Sequence, residues 1–360
     1  MASGVFSAEI ETQLRQRNSI KMRETSCLLC GAPASEVHSN YTGYRQPQTF
    51  QIYSCSSCNT NFSVPRIDAS NLYDVIYSQR EKHPGYERYW GYARDVKIND
   101  DPLGYLAKTE PTYYGVAEFL RTNKISTAAK ILEVGSGLGY LTYALRKSGY
   151  AANAIEVSKV AVEEAIQNFG DFYINAELLE YSRGHQSVYD VVIATEVIEH
   201  VDHPIEFIRA MYDLVKVNGY VVLTTPNRSF FPKQMIWESS LPPIHYWWFG
   251  EESMKYIAKS LNASVEFIGF QNYFIKKPLA WNVNHCITMP PPQAVLDANN
   301  NIIARDGLDG SSPSALDVTR RVKTSMLKIP AVYHALKYMK RETLIFAGEK
   351  CNYMCAVFKC

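Results

Sequence analysis

From Lys130 onward the chain repeats one unit: a short apolar strand, a turn, then an amphipathic helix. Lys130-Ile-Leu-Glu-Val134 reads as a buried strand, Tyr140 to Ser148 as a helix, Ala152 to Glu156 as a second strand and Lys159 to Asn168 as its helix. The order continues with strands at Asp171–Ile174, Asp190–Ala194, Tyr220–Thr224 and Ala263–Phe270, and helices at Pro204–Val215 and Glu251–Leu261. A two-residue turn cannot join parallel strands, so strands separated by helices predict a parallel sheet with helices on both faces, an α/β fold. The apolar run of Tyr353 to Lys359 predicts a last strand that returns to this sheet, which makes 272–349 an insertion.

The turn after the first strand narrows the chemistry. It reads Glu133-Val134-Gly135-Ser136-Gly137-Leu138-Gly139. Glycines are needed where backbone turns sharply and a ligand comes close. The spacing is G-x-G-x-G, not the G-x-G-x-x-G of a dinucleotide site. Glu133 precedes the loop, where a pyrophosphate would be repelled and a cationic ligand favoured. The second strand ends in Glu156, placed to accept the hydroxyls of a ribose, as an acid does at the same point of other doubly wound folds.

These segments resemble class I S-adenosylmethionine (SAM)-dependent methyltransferases. ILEVGSGLGYLTYAL is similar to their first motif, AIEVS to their acidic second-strand motif, and YDVVIATEVIEHVDHP to their fourth-strand motif. LVKVNGYVVLTTPN resembles their following helix-turn-strand, with Val217-Asn218-Gly219 where the family usually has L-x-P-G-G. The resemblance covers roughly 112–270 and the last strand. It implies a Rossmann-like sheet of seven strands and SAM as cofactor. It further implies Glu133, Gly135, Ser136 and Gly137 around the methionine moiety, Glu156 on ribose, Asn175, Ala176 and Glu177 beside adenine, and Thr195 near the transferred methyl.

Upstream, Cys27-Leu-Leu-Cys30 and Cys55-Ser-Ser-Cys58 form two C-x-x-C pairs 24 residues apart. Two such pairs supply four thiolates and predict a zinc ribbon, whereas a redox C-x-x-C needs only one. With no position left open, such a zinc is structural. The resulting organisation is a leader at 1–24, the ribbon at 25–66, a helical connector at 67–128, a SAM-binding core at 129–271, an insertion or lid at 272–349 and the last core strand at 350–360. The ribbon resembles those preceding the methyltransferase domain in some bacterial sugar-modifying enzymes. In other enzymes such ribbons bind RNA.

After the fourth strand comes Glu196-Val-Ile-Glu199-His200. This segment resembles the E-x-x-E-H motif of ubiquinone-pathway O-methyltransferases and of small-RNA 2′-O-methyltransferases. That resemblance implies a divalent site, with Mg2+ or another ion on Glu196, Glu199, His200 and, further along, His245. The alternative is a metal-free role in which His200, with Glu199, is catalytic as base or acceptor contact.

Lys+Arg (37) and Asp+Glu (36) nearly cancel, so no global field favours nucleic acid. The first residues lack the apolar core of a signal peptide, and a cytoplasmic enzyme is expected. Two features bear on the acceptor. Many of the 25 tyrosines lie between Tyr73 and Tyr114, which fits either packing or an aromatic pocket for a ring or sugar. A basic amphipathic helix is expected within the insertion, with Val318, Val322, Ile329, Val332, Leu336 and Met339 on one side. Arg320, Arg321, Lys323, Lys328, Lys337, Lys340 and Arg341 supply its charge. Its basic face is either merely solvated or contacts a phosphorylated or lipid-linked acceptor or an anionic membrane surface. The resulting expectation is O-methylation of a small hydroxylated acceptor, such as a sugar or natural-product precursor. RNA methylation and a non-catalytic SAM-binding scaffold are the alternatives.

Overall fold

The computed structural model describes residues 24–79, 86–230, 241–276, 280–282, 293–303, 344–346 and 351–360. Seven strands form the central sheet. They are β5 (Lys130–Val134), β6 (Ala151–Glu156), β7 (Tyr173–Asn175), β8 (Tyr189–Thr195), β9 (Val215–Pro226), β11 (Ser264–Phe267) and β14 (Tyr353–Lys359). Their order is β11-β14-β9-β8-β5-β6-β7. The five strands from β9 to β7 pair in parallel. β14 is antiparallel to both β9 and β11, so the last strand does return to the sheet. The sheet is the expected mostly parallel, Rossmann-like one of seven strands.

Alternation along β8 sends Val191 and Ile193 to one face and Val192 and Ala194 to the other, all buried. One face packs on α4 (Pro111–Thr122) and α5 (Tyr140–Lys147), through Val116, Phe119 and Leu141. The other packs on α8 (Pro204–Leu214) and α9 (Glu251–Ser260), through Ile208, Met211 and Ile257. Local signals start these helices. Pro111 opens α4 at its first turn, and the Ser158 hydroxyl accepts from Ala161 N–H to cap α6 (Lys159–Phe169).

Among the described residues, the stretch 67–128 carries four helices: α1 (Ser70–Gln79), α2 (Glu87–Asp95), α3 (Pro102–Thr109) and α4. A helix at Leu178–Gly184 (α7) had no expectation in the sequence, and the strand expected over 263–270 is confined to β11. The leader, save Glu24, and the basic helix around 318–341 lie outside the described residues. Within the insertion, α10 (Gln271–Lys276) is followed by β12 (Ala280–Asn282), which pairs with β13 (Leu344–Phe346). Val295 and Leu296 both donate N–H to the Tyr44 carbonyl. Among the described residues no helix is long and apolar enough to cross a membrane.

The cysteine-bearing segment is an antiparallel sheet of β1 (Glu24–Ser26), β2 (Pro33–Thr42), β3 (Thr49–Cys55) and β4 (Thr60–Val64). Its fifth strand comes from far along the chain. β10 (Trp247–Trp248) pairs with β4, Trp247 opposite Phe62. A buried Arg228 fixes the joint, donating from Nε to Asn61 Oδ1 and from Nη1 to Asn59 Oδ1, each at 2.7 Å. Removing it takes a buried donor from both amides, at a cost of roughly 1–3 kcal/mol. Arg228→Met is therefore expected to lower the melting temperature and to expose 24–64 to limited proteolysis before the core; unchanged protease resistance would contradict this role for the arginine.

Candidate active site and metal centres

The glycine loop leaves β5 at its C-terminal end, beside the point where strand order reverses between β5 and β8, the place where ligands bind in open α/β sheets. Gly135, Gly137 and Gly139 have φ of 73°, 50° and 82°, left-handed values that side chains disfavour. Their surroundings differ. A Cβ on Gly139 would meet Tyr173 at 2.6 Å and Ala165 at 2.7 Å, and one on Gly135 would meet Val197 at 2.7 Å. A Cβ on Gly137 would meet only the Tyr77 hydroxyl, at 3.5 Å. Two of the glycines thus serve packing, and Gly137 opens onto space.

That space is a cavity of about 1450 Å³. Its wall includes Glu133, Gly135, Ser136, Gly137, Glu156 and Thr195. Glu156 is oriented by two N–H donors, Gly137 to Oε2 and Ser158 to Oε1, both at 2.9 Å. Each carboxylate oxygen keeps capacity to accept from a diol. Glu133 accepts from the Thr142 hydroxyl at 2.5 Å, and burial pushes its pKa up to about 8. The Ser136 hydroxyl is buried without a partner. These groups fit a ligand that carries positive charge and hydroxyls, as SAM does. Ala176 and Glu177 also line the cavity. Asn175 does not: its side chain donates to the carbonyls of Glu156 and Val157 and holds the end of β6.

At the end of β8 the chain enters an unfavourable conformation. Glu196 has φ of 55°, and a 3-10 turn, Ile198–His200, follows. The turn gathers Glu199, His200 and His245, whose candidate ligand atoms lie within 4.8 Å of one another. Glu196 falls outside this group, because the left-handed residue breaks the helix that would have put it on their face. Its carboxylate instead accepts from the Thr112 hydroxyl at 3.4 Å.

The three gathered side chains are partly spoken for. His200 Nδ1 donates to the Ile244 carbonyl at 2.6 Å, a tautomer that leaves Nε2 to accept. Burial lowers its pKa, against the pull of the Ile244 and Glu196 carbonyls. Glu199 Oε2 accepts from Thr225 at 2.9 Å, and burial raises the carboxyl to about 7. Glu199 Oε1 and His245 Nδ1 are buried with no hydrogen-bond partner. Two orphaned donor atoms beside a free imidazole nitrogen fit a divalent cation.

The second candidate centre joins Cys27, Cys30, Cys55 and Cys58, again within 4.8 Å of one another. Cys27–Cys58 and Cys30–Cys55 are 3.7 and 3.6 Å apart at sulfur. Ligands about 2.3 Å from a tetrahedral zinc stand roughly 3.8 Å from each other, so the spacing fits the ion. Each C-x-x-C is followed by a left-handed residue, Gly31 (φ 76°) and Asn59 (φ 54°), which folds it into a tight turn.

Residues 110–272 match the family model described as "Methyltransferase domain". This segment is therefore similar to methyltransferase domains. Among curated proteins, the mitochondrial ubiquinone biosynthesis O-methyltransferase of Schizosaccharomyces pombe is 31% identical over 125 residues, 33% of this chain and 45% of that protein. The ubiquinone biosynthesis O-methyltransferase of Citrobacter koseri is 30% identical over 154 residues, 39% of this chain and 57% of that protein. The chain thus spans about half the length of these relatives. A solved SAM-dependent methyltransferase from Archaeoglobus fulgidus superposes on 68% of this chain and 93% of its own, with a TM-score of 0.40 and 14% identity.

Several wall residues had no signal in the methyltransferase motifs. Tyr73 and Tyr77 line the cavity from α1, one helical turn apart. Their i, i+4 spacing within the tyrosine-rich stretch was legible, but not the surface they face. Arg66 and Tyr246 also line it and carry no sequence signature.

Two outcomes test these assignments. Gly137→Val is expected to weaken SAM binding at least tenfold in a protein that still folds, and Gly139→Val to fail at folding, as read by calorimetry and circular dichroism. A folded Gly137→Val with wild-type affinity would remove the loop from the cofactor site. Purified protein is expected to hold about one zinc per chain. Cys27→Ser combined with Cys30→Ser should lose it, measured by plasma emission spectroscopy.

Proposed function

We propose that the chain is a SAM-dependent O-methyltransferase for a small hydroxylated acceptor, a sugar or a natural-product precursor, with a structural zinc in its N-terminal sheet. The observation that carries this reading is one cavity holding both the glycine loop with Glu156 and the Glu199–His200–His245 group. Transfer to oxygen is favoured because a hydroxyl must lose a proton as it attacks, and this group is suited to that. That the relatives from S. pombe and C. koseri are O-methyltransferases supports the same choice. The tyrosines on the wall favour a ring-bearing acceptor over an extended polyanion.

SAM supplies a methyl group on a positively charged sulfur. The chain's part is positioning, which brings acceptor oxygen and methyl into line. Glu156 holds the ribose end, the glycine loop admits the methionine end, and Thr195 lines the cavity from the end of β8, on the other side of the loop from Glu156. Glu199, His200 and His245 would hold a divalent cation, whose chemistry there is to acidify an acceptor hydroxyl. In the competing role His200 is itself the base, with Nε2 taking the hydroxyl proton and Nδ1 anchored on Ile244.

His200→Ala is expected to lower kcat by about 10²–10⁴ with SAM affinity kept, measured as S-adenosylhomocysteine release with catechol-type and sugar-type acceptors. Loss of SAM affinity instead would place His200 in cofactor binding. Mild chelation that leaves the ribbon zinc in place should abolish turnover, and Mg2+, Mn2+ or Zn2+ should restore it. Turnover that survives chelation, with no added ion binding near Glu199, would leave His200 as base and exclude the cation.

A further inference from the structure

Arg66 follows β4 and reaches the cavity from the cysteine-bearing sheet. Its guanidinium lies over the rings of Tyr246 and Trp247, 4.4 and 4.2 Å from their centroids. Stacking fixes the plane of a guanidinium but engages none of its N–H groups. Both terminal nitrogens, Nη1 and Nη2, are buried and have no hydrogen-bond partner. Arg66 enters none of the ion pairs among the described residues. A fixed cation with its donor fork unmet is costly to keep in a fold unless something else meets it.

The platform under Arg66 is also the scaffold of the candidate active site. Tyr246 N–H donates to the Glu199 carbonyl, and Trp247 Nε1 donates to the Val201 carbonyl at 2.7 Å. Tyr246 adjoins His245 in sequence. An anion held by the fork would therefore share the cavity with Glu199, His200 and His245. A planar fork suits the two oxygens of a carboxylate or phosphate, and the pairing is stronger out of water. Asp202 is the acid whose charge reaches Arg66, and it too lines the cavity, from an exposed position. It would compete with an incoming anion.

We propose that Arg66 docks an anionic group, phosphate or carboxylate, of the methyl acceptor, so that the cysteine-bearing sheet selects what is methylated. This rests on reading the cavity as a methyl-transfer site, and narrows its acceptors to ring compounds that carry negative charge.

The test uses the full zinc-loaded chain saturated with S-adenosylhomocysteine, at low ionic strength. Inorganic pyrophosphate and benzoate are titrated separately by calorimetry, one probe for each anion chemistry. Wild type should bind one of them, and the probe that binds identifies the group. Arg66→Gln should weaken that probe at least tenfold and leave S-adenosylhomocysteine affinity within twofold. Asp202→Asn, which removes the competing acid, should tighten it several-fold, and this arm decides the matter if Arg66→Gln does not fold. Binding of neither probe by wild type overturns the assignment, as does equal binding by Arg66→Gln or unchanged binding by a folded Asp202→Asn used in its place. A loss confined to S-adenosylhomocysteine in Arg66→Gln also overturns it, because the guanidinium would then serve the cofactor's carboxylate. Wild-type affinity for S-adenosylhomocysteine is measured independently and reports on the methyl-transfer reading by itself.

Discussion

The pairing of β10 with β4 is the contact on which the shape of the cavity depends. Two tryptophans from the methyltransferase half complete a sheet begun more than 180 residues earlier. Tyr246, immediately before them, is clamped from both sides: its N–H donates to the Glu199 carbonyl, and its carbonyl accepts from Ser63 N–H. The turn that carries Glu199 and His200 is thus tied to the cysteine-bearing sheet through one residue's backbone. Local sequence could not enforce this, since Ile198–His200 is a single 3-10 turn preceded by a left-handed glutamate. Packing must hold it. Phe62, Trp247 and Phe249 are all nearly fully buried there, and burial of each such ring contributes roughly 1.5–3 kcal/mol or more.

Against that rigid joint stands an electrostatic imbalance. Glu133, Glu156, Glu196 and Glu199 all approach the same cavity from the C-terminal ends of β5, β6 and β8. Burial raises the pKa of Glu133, Glu196 and Glu199, and for Glu196 the neighbouring Glu199 and Glu110 add to the effect. A fold that concentrates acids in this way is organised around cations that arrive from outside. Glu133 and Glu156 flank the glycine loop, where the proposed cofactor would bring a sulfonium and an ammonium. Glu199 belongs with the two imidazoles. On the proposed reading the acidic wall would be divided between two positive guests, with Arg66 adding the opposite sign beside Tyr246 and Trp247.

How much of this could be read from the chain follows from how local each feature is. The glycine loop, Glu156 and the two C-x-x-C turns are encoded within a few residues, by left-handed backbone and by side chains next to it, and the sequence was sufficient for them. The parallel sheet was legible for the same reason, since each strand and helix carries its own periodicity. The E-x-x-E-H segment was legible only in part. Its spacing suggested a helix face, but Glu196 takes a φ of 55° and drops out, a departure that spacing cannot reveal. Asn175 could be placed only by motif position, and the sequence did not show that its amide donates to the backbone of the neighbouring strand. Arg66, Tyr246 and β10 were invisible, since their meaning arises from a pairing between segments distant in sequence.

That pattern bears on why the cysteine-bearing sheet is there at all. A sheet serving only as ballast would need to bury its own apolar face and nothing more. This one ends in Arg66, Ile67 and Asp68 on the cavity wall, and Arg228 from the core reaches into it to meet Asn59 and Asn61 beside Cys58. Asn59 is the left-handed residue that closes the second C-x-x-C turn, so the geometry of the four sulfurs and the position of Arg66 are set at opposite ends of the same short strand, β4. Metal binding in such turns supplies folding free energy to the segment that carries them. The order of β4, and with it the placement of Arg66, Tyr246 and the Glu199 turn, is then coupled to the cysteine site through hydrogen bonds that can be named.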